Sequence, residues 1–334
     1  MIIRKPIFYD SFRCLAGSCP DSCCQEWDVA VDDHSAAYYR ELPGALGDAL
    51  RQHLYREEDC WYLQIQNRRC PMWQQDGLCR IQAQLGEQAL CQVCREFPRL
   101  RHDYGDFAEL GLELSCPEAA RLMLAAPIAS TIECTIPGGE DPEYDRADMD
   151  LLLRSRSQAL ELLEAYPMEE AMALLLLYGY RVQEELDGGD AVQWEAQKEL
   201  ALAQQLAQEQ DWQPLMDFYA GLEVLTPRWA QRLASPAAPA FPTAIQNFLH
   251  WGIQRYWLQT ISDLDLVCRV KMLLAGALLV GALGGDPVET AQLYSKEIDN
   301  SSENLEAILD AAYTHPALTD QYLLGLMMKA KKNS

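Results

Sequence analysis

Basic residues, long apolar runs and phosphate-loop glycines are all scarce in this 334-residue chain. Lysine and arginine number 27 against 50 aspartates and glutamates, a formal net charge of −23. A basic footprint cannot form on that balance, so neither nucleic acid nor an anionic membrane surface is expected as a partner. A cationic group, such as a lysine side chain on another protein, would instead be attracted. The longest uncharged apolar run covers 272–285, 14 residues between Lys271 and Asp286. A spanning helix needs about 20, so a buried helix is expected there. The start MIIRKPIFYDSF carries positive charge with no apolar stretch behind it, unlike a secretory leader, and a cytoplasmic chain is expected. Gly276, Gly281, Gly284 and Gly285 follow no strand pattern and so make no dinucleotide fingerprint.

What the chain does have is cysteine, unevenly placed. Ten of its twelve cysteines precede residue 120: Cys14, Cys19, Cys23, Cys24, Cys60, Cys70, Cys79, Cys91, Cys94 and Cys116. Only Cys134 and Cys268 follow. In a cytosolic chain such clustering points to metal or redox chemistry rather than a disulfide framework. Four residues separate Cys14 from Cys19, three separate Cys19 from Cys23, eight separate Cys70 from Cys79, and two separate Cys91 from Cys94. Soft thiolates at short spacing suit zinc or an iron–sulfur cluster, because one loop then supplies two ligands to one centre. Adjacent Cys23 and Cys24 point to opposite sides of an extended backbone, so one ligand from the pair is expected. No ribbon of two paired Cys-x2-Cys motifs is present. Disulfides, structural zinc and an iron–sulfur cluster all stay open on spacing alone.

With 49% hydrophobic and 23% charged residues, the composition is that of a folded chain. Its length suggests about two domains at roughly 150 residues each. Residues 1–122 read as a small cysteine-rich α+β or irregular domain that binds metal. Period-two alternation over 27–32 and 110–114 predicts short strands, and 35–54 and 86–97 predict helices. Residues 123–145, with Pro127, Pro137, Gly138, Gly139 and Pro142, read as a linker. Residues 146–334 read as an all-helical domain, which makes the fold class mainly α. Helices are predicted over 151–165, 168–186, 191–209, 244–260, 264–283 and 287–298, with a last one from about 316. Asp286-Pro287-Val288-Glu289 is a helix-start signature.

Five segments in order carry a resemblance: Cys14…Cys19-Pro20-Asp21-Ser22-Cys23-Cys24-Gln25-Glu26-Trp27; Cys70-Pro71; Gly77-Leu78-Cys79-Arg80-Ile81 with Gly86-Glu87; Leu90-Cys91-Gln92-Val93-Cys94-Arg95-Glu96-Phe97-Pro98-Arg99; and Ser115-Cys116-Pro117-Glu118-Ala119-Ala120-Arg121. Together they resemble the flagellin lysine N-methylases. Beyond residue 146 the likeness is general helical texture. The resemblance implies methyl transfer from S-adenosylmethionine to surface lysines of flagellin, a [4Fe–4S] cluster in the cysteine-rich domain, and a helical domain that binds the flagellin. Carried over residue by residue, the implied metal ligands are Cys14, Cys19, Cys23, Cys24, Cys70, Cys79, Cys91, Cys94 and Cys116. Cys60, Cys134 and Cys268 match no motif. The Cys-x3-Cys-x2-Cys triad of common radical enzymes is absent, since Glu26 stands where its third cysteine would be.

A lysine amine near pKa 10.4 is protonated at neutral pH and must lose its proton before it attacks a methyl group. Trp27, Trp61, Trp73, Tyr62 and Tyr104 are aromatic faces a sulfonium would accept, and Asp28, Asp32, Glu87 and Glu113 are nearby acids. Each also reads as ordinary core or surface. Arg95, Arg99 and Arg101 would hold a carboxylate or pair with Glu96, Asp103 or Asp106, and His102 is an alternative ligand beside the last cysteines. The rival function is a non-catalytic iron–sulfur or zinc protein, an adaptor or electron carrier whose helical part docks a partner.

Overall fold

The computed structural model describes residues 1–25, 29–124, 131–190, 194–208 and 210–333, with side chains to Ala330. Short segments between residues 2 and 135 pair into two small sheets. In chain order they are β1 (Ile2–Pro6), β2 (Val29–Val31), β3 (Leu54–Glu57), β4 (Cys60–Leu63), β5 (Arg99–Asp103), β6 (Phe107–Leu112) and β7 (Thr131–Thr135). One sheet runs β5-β6-β1-β7, with β1 parallel to β6 and the other pairs antiparallel; the other runs β2-β4-β3.

Between these strands lie α1 (Asp33–Glu41), α2 (Gly44–His53), α3 (Arg80–Leu85), α4 (Gln92–Glu96) and α5 (Pro117–Leu124). The helical stretch expected over 35–54 is two helices, because Pro43 has no N–H for a continuing ladder and instead opens α2. The helix expected over 86–97 is a 3-10 turn at Glu87–Ala89 followed by α4. Of the strand expected over 27–32, β2 covers 29–31, and residues 27 and 28 lie outside the described residues.

From residue 146 the structure is helical: α6 (Arg146–Ala165), α7 (Met168–Leu186), α8 (Ala196–Leu206), α9 (Gln213–Ala220), α10 (Pro227–Leu233), α11 (Thr243–Tyr256), α12 (Leu266–Ala282), α13 (Pro287–Ile298), α14 (Ser302–Thr314) and α15 (Asp320–Asn333). All 17 residues of α12 are buried, so the apolar run seen in the sequence is the central helix of the core. Its Lys271 reaches out of the apolar stretch to the Ala312 carbonyl and Asp320, and Arg269 pairs with Asp263. Among the described residues no helix is long and apolar enough to cross a membrane.

The main core does not begin at residue 146. It runs from Tyr104 and Phe107 through Leu124 to Met327, so β6 and α5 belong to the helical body. A separate small core of Val29, Val31, Tyr39, Leu50, Leu63 and Met72 holds Cys70 and Cys91. The stretch 123–145, expected as a linker, contains regular structure among its described residues. Met123 and Leu124 end α5, and β7 is an edge strand on β1, where β-branched Thr131, Ile132 and Thr135 suit pairing. Residues 125–130 lie outside the described residues.

Candidate functional site

Turns and helix starts set the places of the cysteines. Cys79, Cys91 and Cys116 immediately precede α3, α4 and α5, and Cys94 lies one turn into α4. Cys23 and Cys24 share a turn whose Cys24 carbonyl accepts the Cys70 N–H at 2.8 Å. The Cys70 carbonyl accepts in turn from Trp73 N–H at 3.0 Å. Two glycines let the first and third cysteine loops touch. A Cβ on Gly17 would stand 2.8 Å from the Asp76 carbonyl oxygen, and one on Gly77, at φ +80°, would stand 3.1 Å from Gly17 Cα. Phe12 and Cys116 share a third apolar cluster, which ties the Cys14 loop to the start of α5. Asp32 adds a further tie, since its carboxylate caps α1 through Ser35 N–H at 2.9 Å and accepts Gln92 N–H at 2.8 Å.

All twelve cysteines are free. Cys23 is the hub of their electrostatics. Its sulfur interacts with Cys24 directly and falls within the field of Cys19, Cys70, Cys79, Cys94 and Cys116. The hydrogen bond with Cys24, then burial, pushes Cys23 well above the thiol range. Burial pushes Cys70 up to about 11 and Cys116 up to about 12, and raises Cys19 and Cys79. Cys91 runs the other way, because the Cys94 thiol donates to it and lowers its pKa while its own proton is held. Backbone amides at the starts of α3, α4 and α5 also favour the thiolates of Cys79, Cys91 and Cys116. Two hydrogen-bonded thiol pairs stand among the cysteines, Cys23 with Cys24 and Cys91 with Cys94. Among the described residues no three Cys, His, Asp or Glu side chains converge closely enough to hold an ion.

Two residues that the sequence reading missed fasten this region to the helical body. Lys296 of α13 donates to both Asp21 oxygens at 3.0 and 3.1 Å and to the Ser22 carbonyl at 3.1 Å. Gln292, one turn earlier, donates to Asp21 at 3.1 Å and to the Ser115 carbonyl at 2.7 Å. The two ends of the ion pair are only 5% and 7% exposed. Burial pushes the Asp21 carboxyl up, but Lys296, the Ser22 amide and Gln292 together outweigh it and hold the pKa below the usual range. One helix face thus grips the loop before Cys23 and the carbonyl before Cys116. Lys296 and Gln292 both lie in the part of α13 that is buried without a break from Thr290 to Ile298, where such residues are rarely found without partners, and no local sequence pattern marked them.

The remaining sequence candidates disperse. Trp61 stacks under Arg40 and Arg56, Trp73 lies 3.9 Å beneath Arg69, Tyr62 stacks on Tyr55, and Tyr104 on Phe107. Arg95 donates to Leu90 O, Arg99 lies over Phe12, and Arg101 pairs with Asp103 at 2.8 Å, so they form no common anion patch. His102 faces Arg255 and Glu109 rather than the cysteines. Glu113 is buried against Arg255 at 2.9 Å, and burial pushes it up to about 7. Glu87 lies in the exposed 3-10 turn. Trp27 and Asp28 lie outside the described residues. Cys60 and Cys134 are exposed on β4 and β7, and Cys268 is buried in α12.

Over 151 residues the chain is 30% identical to the flagellar biosynthetic protein FliU of Salmonella muenchen, a match covering 43% of this chain and 86% of that protein. Over 137 residues it is 30% identical to a lysine-N-methylase of Salmonella choleraesuis and 29% identical to one of Salmonella typhimurium. Each of those matches covers 39% of this chain and 34% of the relative, so the shared segment spans about a third of the methylases' length. No family model matches the chain, and no solved structure matches it.

Proposed function

The chain belongs to the family of the flagellar biosynthetic protein FliU, and from that premise we propose that it is a protein-lysine N-methyltransferase that methylates surface lysines of flagellin. The observation that carries this reading is the likeness to two proteins named lysine-N-methylase. S-adenosylmethionine is the proposed methyl donor.

The donor set fits a soft metal centre by its chemistry. Every thiol is free, and Cys23 shares its field with thiols from four different segments of chain. The proposed ligands of a [4Fe–4S] cluster come from Cys14, Cys19, Cys23, Cys24, Cys70, Cys79, Cys91, Cys94 and Cys116. A bound cluster supplies an anchor for these loops and one-electron chemistry. Because burial raises most of these thiols, loading the centre would release protons, whereas the hydrogen bond from Cys94 lowers Cys91. Lys296 and Gln292 keep the Cys19–Cys23 loop beside Cys116. The net charge of −23 favours encounter with a cationic lysine.

The test is methyl transfer in vitro. Anaerobically prepared protein with isotopically labelled S-adenosylmethionine and flagellin is expected to yield labelled N-methyllysine, read by peptide mass spectrometry. Metal-loaded protein that binds no S-adenosylmethionine and leaves flagellin unlabelled would instead favour the non-catalytic adaptor or electron carrier.

A further inference from the structure

A cavity of about 100 Å³ opens between the four-stranded sheet and α11, in a part of the molecule that the methyl-transfer reading does not use. Strand register builds its floor. His102 of β5 and Arg4 of β1 both pair across Glu109 of β6, and Leu100 pairs across Gly111 one step along the same face. The roof is the face of α11 that carries His250, Trp251 and Gln254. Trp251 Nε1 donates to the Leu112 carbonyl at 3.1 Å and so joins roof to floor at one end.

Gly111 is the unusual residue. Its φ is not left-handed, and a Cβ there would meet nothing nearer than Leu100 Cβ at 4.0 Å. Neither the backbone nor a neighbour demands glycine at this position. Glycine inside a strand weakens it and often marks close approach of a ligand. What the missing side chain provides here is room in the cavity.

Two polar atoms in this part of the molecule are left over. His102 Nε2 and Arg255 Nε are both buried and have no hydrogen-bond partner among the described residues. Buried polar groups are nearly always satisfied, so such atoms call for an explanation. Arg255 Nε is a donor, and a neutral imidazole has one N–H to offer. Burial, then Arg255, keeps His102 below the usual histidine range, and hence neutral. The lining charges also run against the acidic whole. Arg4, Lys5 and Arg255 line the cavity with Glu109, whose carboxylate is taken by Arg156 at 2.6 and 2.7 Å. The three cations have carboxylate partners of their own in Glu133, Asp10 and Glu113, of which the first two lie at the exposed surface.

We propose that this cavity binds a small monocarboxylate, with its oxygens on His102 and Arg255 and its carbon chain against Phe8, Leu100 and Trp251. Size limits the ligand. An apolar cavity of about 150 Å³ holds one benzene, so this smaller, partly open one takes a ligand of at most about six non-hydrogen atoms. A carboxylate held by two donors, one of them cationic, would be preferred over its amide by about tenfold or more.

Butyrate is the probe and butyramide the uncharged control, titrated into the full chain and followed by ligand-observed NMR. Butyrate is expected to bind at millimolar concentration, and butyramide at least about tenfold more weakly. Gly111→Val, which fills the cavity, is expected to abolish binding while circular dichroism stays that of the parent. His102→Ala should weaken butyrate about tenfold without changing the weak affinity for butyramide by as much. Should Gly111→Val not fold, Leu100→Phe fills the same space from the neighbouring strand and carries the same test. No butyrate binding, equal binding of the amide, or full binding by a folded cavity-filling variant would each overturn the proposal.

Discussion

Lys296 and Asp21 show what one buried charge pair does at the residue scale. Each is nearly sealed from water and each is the other's counter-ion, so removing one strands the other. Lys296→Met is therefore expected to destabilise the protein by about 3–5 kcal/mol. Adding Asp21→Asn should recover a large part of that, and a double-mutant cycle in denaturant checks the coupling. Additive effects would show that the pair does not hold the cysteine loop. Glu113 makes a second prediction. Its folded pKa, about 7, lies above its unfolded value near 4.5, so the folded state binds more protons in between. By linkage the stability it contributes falls as pH rises from about 4.5 to 7, by on the order of 3 kcal/mol. Glu113→Gln should flatten that slope in urea titrations at each pH, and a variant that keeps the parent slope would contradict the assignment.

At the scale of elements, α13 shows how local signals and distant contacts divide the work. Its start was legible because Asp286-Pro287-Val288-Glu289 combines a cap, a first-turn proline and a glutamate. Asp286 accepts from Val288 N–H at 2.8 Å and Glu289 N–H at 3.1 Å. Asp286→Ala should cost about 1 kcal/mol, seen as a lowered melting temperature with an unchanged circular dichroism spectrum; a neutral result would remove the cap from the account. The same local logic made α7 readable over its full length, between Pro167 and Gly188. It did not reveal α9, α10 or α14, which carry 8, 7 and 13 residues. The first two span about two turns, too few for a 3.6-residue period to stand out. In α14 the cap is Ser301, within a polar run that reads as a loop. Strands β1 and β7 were also hidden, because Ile2–Pro6 alternates poorly by itself and is a strand through its pairing with β6, more than 100 residues away.

For the whole molecule, the ordered cysteine segments were legible as a group, and what they share in space was not. Spacing along the chain says nothing of Gly17 meeting Gly77, of Cys24 bonding to Cys70, or of α13 fastening the Asp21 loop to Ser115. Nor does a linker-like composition reveal that β6 and α5 share the core of the helical body. These contacts join distant parts of the chain and tie the cysteine segments to one another. The central proposal of the account is that thiols of these segments hold one iron–sulfur cluster rather than zinc. Iron and acid-labile sulfide, measured on anaerobically purified protein together with its visible absorption, test that claim most directly. About four irons and four sulfides per chain with a brown chromophore are predicted, with iron lost on Cys23→Ser. Colourless protein with stoichiometric zinc, or with no metal after anaerobic reconstitution, would contradict it.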